Sequence, residues 1–260
     1  MKPQLLYRVE SCASCGRCAE LCPESAIVLK DGIAHTDRSH CTACGVCVAS
    51  CAGKARSIAG EYLSSAEVYS EIATDRMFYE SSGGGATLSG GEVLSQPDFA
   101  ADILRLCKEN GIHTAVETSG YADWSVVRQV VEHADLILYD IKHMDSISHM
   151  NGTGVPNDRI LFNARAIRRE SGKPVTVRIP IIPGFNDDGK NLLATAAFVF
   201  NELGADTAVE LLPYHRLGEG KKVQLEEAPA DFPSETPDDL EMEKARNIFI
   251  NAGLAAKIGG

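Results

Sequence analysis

The sequence contains no run of about eighteen apolar residues, the length a membrane-crossing helix requires, so a spanning segment is excluded. Its first ten residues, MKPQLLYRVE, lack the apolar stretch and cleavage site of an export signal, so the expected location is the cytoplasm. Positive charge is in deficit: 25 Lys and Arg stand against 36 Asp and Glu, a formal net charge of −11. Non-specific nucleic-acid binding runs on clustered cations, so nucleic acid is not an expected partner. No low-complexity linker interrupts the chain, and beyond residue 51 Cys107 is the only cysteine. What is present is an ordinary globular balance, 44% hydrophobic and 23% charged over 260 residues, enough for one or two domains with a sizeable core.

Eight of the nine cysteines lie between Cys12 and Cys51. Clustered thiols in a chain not addressed to an oxidising compartment point to metal ligation rather than disulfides. Cys12, Cys15, Cys18 and Cys22 spell C-x2-C-x2-C-x3-C, followed by Pro23. Cys41, Cys44, Cys47 and Cys51 repeat the spacing 29 residues later, with Ala52 in the proline's place. In two-cluster bacterial ferredoxins the first three cysteines of a run bind one cubane and the fourth crosses to the other. The spacing therefore predicts one [4Fe-4S] cluster on Cys12, Cys15, Cys18 and Cys51, and a second on Cys41, Cys44, Cys47 and Cys22. Structural zinc is the bland alternative, but C-x2-C pairs would leave the third cysteine of each triple unused. So short a segment buries little core, so the clusters are expected to staple it. Cys107, on an amphipathic stretch, reads as a small core residue.

After about residue 60 the pattern changes to alternating strands and helices. Strand candidates begin at Ala86, His113, Leu136, Val175 and Thr207. Helices are expected over SQPDFAADILRLCKENG, around Val126–Val131 and Ile160–Ile167, over NLLATAAFVFNELG up to Gly204, and from Thr236 as cap with Pro237 in the first position. Such alternation predicts parallel βαβ units, an α/β sheet or barrel. The acidic stretch 226–235 reads as a surface loop. The expected division is residues 1–60, a two-cluster ferredoxin-like domain, and 61–260, the α/β domain.

Each strand candidate after residue 85 ends in polar residues, and parallel α/β folds bind ligands at strand carboxyl ends. SGGGATLSGGE is neither a dinucleotide fingerprint nor a phosphate-binding loop, since Leu88 stands where the third glycine belongs and Gly91-Glu92 replaces Lys-Ser/Thr. Its glycines let backbone approach a ligand, and Glu92 suits an amine. Glu117, Thr118, Asp140, Lys142, Arg178 and His215 complete a rim suited to a zwitterionic ligand bearing a ribose. Taken singly, each is equally a solvated or salt-bridged strand end. The remaining histidines, His149 among them, show no ligand spacing.

Together these motifs resemble the glycyl-radical-enzyme activating enzymes of the radical S-adenosylmethionine (SAM) superfamily, in the branch with a two-cluster ferredoxin insert. The likeness runs from PQLLY through the cysteine repeat, SGGGATLSGGE, VETSGY, DIKHMD, RIPIIPGFND and ELLPYHRLG to the closing IGG. It implies a partial (β/α)6 radical SAM barrel preceded by the small two-cluster ferredoxin domain. It also implies reductive cleavage of SAM to a 5′-deoxyadenosyl radical, which takes a hydrogen from a glycine of a partner glycyl radical enzyme, with flavodoxin or ferredoxin as electron donor. Gly90, Gly91 and Glu92 would meet the methionine amino group. Glu117, Thr118 and Asp140 would lie near its carboxylate and a bound monovalent cation, with Lys142, Arg178 and His215 as further SAM contacts. Glu117 stands where the family usually has Asp, and Val93 where it usually has Pro. The family's C-x3-C-x2-C motif for the SAM-cleaving cluster would fall upstream of Met1. The expectation is therefore an N-terminally shortened chain, inactive alone, with a third [4Fe-4S] cluster only in a full-length form. The alternatives are a non-catalytic iron–sulfur electron carrier or docking protein derived from such an enzyme, and a barrel enzyme acting on another small molecule.

Overall fold

The computed structural model describes residues 3–215, 219–226 and 235–259. The chain divides into two compact units: Met1–Tyr62 with His215–Phe232, and Leu63–Tyr214 with Pro233–Gly260.

The first unit is built on the cysteine repeat. Strand β1 (Gln4–Tyr7) pairs antiparallel with β4 (Arg56–Ala59), placing Tyr7 opposite Arg56. Strands β2 (Ile27–Lys30) and β3 (Ile33–Thr36) form a hairpin, placing Ile27 opposite Thr36. Its two-residue turn is Asp31-Gly32 at φ 51° and 78°, the pair of positive angles that matches strand twist. Two single-turn helices, α1 (Arg17–Glu20) and α2 (Val46–Ala49), each follow a left-handed glycine, Gly16 and Gly45. The duplication extends to the backbone: Ser14 and Ala43 sit at φ 52° and 54°, Ser25 and Lys54 at 50° and 51°. These conformations are strained for non-glycine residues and persist only where their surroundings fix them. The core is small, Leu5, Tyr7, Ile27, Ala34, Cys47 and Ala55, with five further cysteines packed against it. A short helix over Glu219–Gln224 (α10 in chain order) also belongs here. Just past it, Arg38 donates from Nε to the Leu225 carbonyl at 2.7 Å and from Nη2 to the Leu5 carbonyl at 3.0 Å.

The second unit opens with α3 (Ser65–Thr74) and α4 (Arg76–Ser82). There follow β5 (Gly85–Leu88), α5 (Pro97–Glu109), β6 (His113–Thr118), α6 (Trp124–Val131), β7 (Leu136–Asp140), α7 (Ser146–Thr153) and α8 (Asp158–Ala166). The series closes with β8 (Val175–Ile181), α9 (Gly189–Phe198), β9 (Ala208–Pro213), α11 (Asp239–Asn251) and β10 (Ala256–Ile258). The six strands β5–β10 form one parallel sheet whose spatial order is the sequence order, as serial βαβ crossovers require. The architecture is thus the expected α/β class, an open six-stranded barrel-type sheet, preceded by the small cysteine unit. Strand alternation sorts the side chains. Val116, Ile137, Tyr139, Val177 and Ile179 are fully buried in a core they share with Val127 and Val130 of α6, Ile160 of α8 and Leu192 of α9. Each such aliphatic stabilises the fold by roughly 1.5–3 kcal/mol relative to an exposed position. The alternate residues, Glu117, Asp140, Arg178 and Glu210, take the opposite face.

All five strand candidates form strands, and β10 is a sixth that the sequence reading omits: three residues give too short a pattern to register. The cap of α11 is corrected. Asp238, not Thr236, heads the helix, because its carboxylate accepts from Glu241 N while the Glu241 carboxylate accepts from Asp238 N, satisfying two backbone donors at once. Cys107 is fully buried beside Ile103 and Ile112, where burial raises its thiol and leaves it inert. Of the loop expected at 226–235, residues 227–234 lie outside the described residues.

Candidate functional site

The eight clustered cysteines frame two cavities. The first, of about 140 Å³, is lined by Cys12, Cys15, Cys18 and Cys51 together with Tyr7 and Arg56. The second is narrower, about 10 Å³, and is lined by Cys22, Cys41, Cys44 and Cys47 with Leu5 and Ile27. Each cavity thus takes three cysteines from one run and the fourth from the other. The fourth positions are set by matching backbone contacts: Ala26 N donates to Cys22 Sγ and Ala55 N to Cys51 Sγ, both at 3.3 Å. Among the described residues no three Cys, His, Asp or Glu side chains converge tightly enough to chelate a single ion. Four thiols around a common space are the donor set of an iron–sulfur cubane. Among the described residues, Arg56 Nε, on a residue of the first cavity, is buried without a hydrogen-bond partner.

The second constellation lies at the carboxyl ends of β5–β9. A cavity of about 280 Å³ is lined there by Glu92, Ser119, Tyr121, Asp140, Lys142 and His149, among others. Glu92, just past β5, is locked in place: Oε1 accepts from Thr118 Oγ1 at 2.6 Å and Oε2 from Ser119 N and Oγ at 3.0 and 2.6 Å. Gly90, at φ 122°, has open space where a Cβ would stand, so backbone is accessible there. Gly91 is exposed beside it. Asp140 ends β7, and its carboxylate pairs with Lys142 Nζ at 3.3 Å. Burial raises the Asp140 carboxyl above the usual range, with Lys142 pulling the other way. His149 is buried and its Nδ1 lies 2.7 Å from the Val155 carbonyl, which fixes the proton on Nδ1 and leaves Nε2 as an acceptor. Burial holds this imidazole below the ordinary histidine range.

Glu117 and Arg178 do not line that cavity but pair with each other. Arg178 Nη1 donates to Glu117 Oε1 at 2.5 Å across β7, and Ser89 Oγ donates to Glu117 Oε2 at 2.6 Å. The chain of charges continues along one row of the sheet, from Arg178 Nε to Glu210 at 3.3 Å and from Glu210 to Lys257 at 3.2 Å. His215 is exposed, two residues beyond β9, and groups with the first unit. Sequence reasoning missed Ser89, Ser119, Tyr121, Glu210 and Lys257, and set His149 aside. The signal for His149 was local: Thr153, one helical turn on, donates from Oγ1 to the His149 carbonyl at 2.8 Å and fixes that turn against Val155.

Comparison with known proteins places this geometry. The profile of the Radical SAM superfamily matches residues 40–196, and that of the 4Fe-4S dicluster domain matches residues 5–52. The chain is 38% identical over 99% of its length to the trans-4-hydroxy-L-proline dehydratase activating enzyme of Clostridioides difficile, covering 85% of that protein. It is 42% identical over 87% of its length to the isethionate sulfite-lyase activating enzyme of Nitratidesulfovibrio vulgaris, covering 75% of that protein. A solved domain of the pyruvate-formate lyase-activating enzyme from Bacteroides vulgatus superposes with a TM-score of 0.56 at 36% identity, over 68% of this chain and 99% of that one.

Proposed function

This chain belongs to the activating enzymes of glycyl radical enzymes, in the radical SAM superfamily, and from that membership we propose how its own residues serve the activity. The family's reaction uses iron–sulfur clusters and SAM: an electron from a reduced cluster cleaves SAM reductively, and the radical is set on a glycine of the partner enzyme. The relatives' partners differ while their identity to this chain is nearly equal, so what they share with it is the activation step.

Two [4Fe-4S] clusters are held in residues 1–60, one by Cys12, Cys15, Cys18 and Cys51, the other by Cys41, Cys44, Cys47 and Cys22. The observation that carries this is the crossed lining of the two cavities, three cysteines from one run and one from the other. In residues 61–260, SAM lies over the strand ends. The open backbone at Gly90 and Gly91, with Glu92 anchored behind it, receives the methionine ammonium. Lys142 exchanges part of its pairing with Asp140 for the methionine carboxylate. Glu117, Thr118 and Arg178 hold the neighbouring row of polar groups, and His215 is added by family resemblance. The electron donor is a flavodoxin or ferredoxin in the cytoplasm. A net charge of −11 disfavours non-specific nucleic-acid binding, and among the described residues no helix is long and apolar enough to cross a bilayer.

Anaerobic reconstitution of the 260-residue chain should load about eight irons, two cubanes. A content near two zincs without broad visible absorbance would overturn the cluster assignment. Calorimetric titration with SAM tests the rim: Lys142→Met should weaken binding about tenfold or more, the worth of a charge-assisted pair. Unchanged affinity would remove Lys142 from the site.

A further inference from the structure

The two halves of the cysteine unit are near copies; several exposed positions differ in charge between them, but only one buried position does. Ile27 and Arg56 are related by the 29-residue repeat, and each is the first residue of its strand, β2 and β4. Ile27 lines the second cavity and Arg56 the first. Both are buried, at 4% and 3% exposure. An apolar residue at that depth needs no explanation, but a guanidinium does. Arginine stays charged in any protein environment, and a buried charge is costly unless an opposite charge answers it.

Among the described residues no carboxylate answers Arg56. Its guanidinium donates from Nη1 to Thr36 Oγ1 at 3.0 Å and from Nη2 to the Ala34 carbonyl at 3.5 Å, and stacks over the Tyr7 ring at 4.6 Å. All three partners are neutral, and Nε has none. The group that would balance it is the cavity's own occupant. A cubane with four thiolates is a dianion, and on accepting one electron becomes a trianion. A fixed cation at its wall favours the reduced form, and burial keeps solvent from screening the effect.

We propose that Arg56 sets the two clusters apart in reduction potential, making the cluster on Cys12, Cys15, Cys18 and Cys51 the easier to reduce and the first resting place of an incoming electron. The proposal rests on the two-cluster ligation above. Arg56 acts through charge, with no bond made or broken: a one-electron donor reduces each cubane in turn, and the order of filling follows the potentials.

The test is an anaerobic dithionite titration of the holo chain followed by electron paramagnetic resonance. Signals are assigned with Cys15→Ser and Cys44→Ser, each of which alters the spectrum of its own cluster. In the wild type the first-cavity cluster should reduce at the less negative potential. Arg56→Gln should lower that midpoint more than the other's, and Arg56→Lys, which keeps the charge, should retain most of it. Should Arg56→Gln fail to fold, the wild-type order and Arg56→Lys decide. Reduction of the second cluster first, or an Arg56→Gln chain that holds about eight irons with neither midpoint moved or both moved equally, overturns the proposal. Failure of the wild type to load two cubanes would strike the ligation itself, a result the iron count separates from a reversed order.

Discussion

At the scale of single residues, Asp140 shows what a binding rim costs the fold. Burial raises its carboxyl despite Lys142 at 3.3 Å, so the folded chain holds the Asp140 proton more tightly than the unfolded chain does. Its contribution is therefore favourable at low pH and is lost as pH rises through the raised value. Asp140→Asn removes that titration. Its melting temperature relative to wild type should climb as pH rises above the ordinary carboxylate range, by about 2–4 °C for each kcal/mol of relief in a domain of this size. A gap that shrinks with pH would refute the account, and the same variant should bind SAM more weakly. Gly120 makes a complementary case. It sits at φ 69° after β6, and a Cβ there would overlap the Tyr139 hydroxyl. That hydroxyl is spoken for, donating to the Ile160 carbonyl at 2.7 Å, and buried Asn163 donates to the Gly120 carbonyl at 2.7 Å. Gly120→Ala should cost about 2–5 kcal/mol, the sum of a left-handed alanine and an overpacked contact. Adding Tyr139→Phe should return part of that loss in chemical denaturation, which independent costs would not do.

At the scale of elements, what was legible followed physical periodicity. The β-branched runs at His113, Leu136 and Val175 fill central strands, where both faces are covered and the chain must be apolar or paired. Val126, Val127, Val130 and Val131 gave α6 through one apolar stripe. The eight cysteines were legible because ligand spacing is a local property. Less legible were contacts set by tertiary folding: Arg178 reaches Glu117 across an intervening strand, and Glu210 meets Lys257 on β10, pairings no spacing rule contains. The cap of α11 failed for a subtler reason, since Thr236 and Asp238 are both good caps and only the reciprocal bond to Glu241 decides between them. Asp238→Ala should therefore lower stability by about 1 kcal/mol in thermal unfolding, while Thr236→Ala stays within a few tenths. Equal losses would mean that the helix begins earlier.

At the scale of the whole molecule, the unexpected feature is that the cysteine unit is not one stretch of sequence. Residues that follow β9 join it, and Arg38 is central to the joint. Arg38 bridges the carbonyls of Leu5 and Leu225, residues 220 positions apart in the chain, and lies 3.9 Å from Glu226, whose other carboxylate oxygen accepts from Thr36 N at 3.1 Å. Leu225 is buried, so the segment is held by packing as well as by charge. The arginine's planar fork serves two carbonyls at once, and a lysine ammonium on a flexible stem cannot reproduce that geometry. Charge-assisted hydrogen bonds are worth about 1.5–3 kcal/mol each, so losing both should raise local opening by roughly a hundredfold to ten-thousandfold. Native-state hydrogen exchange of Arg38→Ala should thus show faster exchange over residues 219–226 and at Thr36, with the amides of β6–β8 unchanged. Arg38→Lys should fall between. If protection is lost evenly across the chain, Arg38 supports global stability instead. If no amide changes, packing of Leu225 alone holds the segment, and Leu225→Ala becomes the variant that releases it.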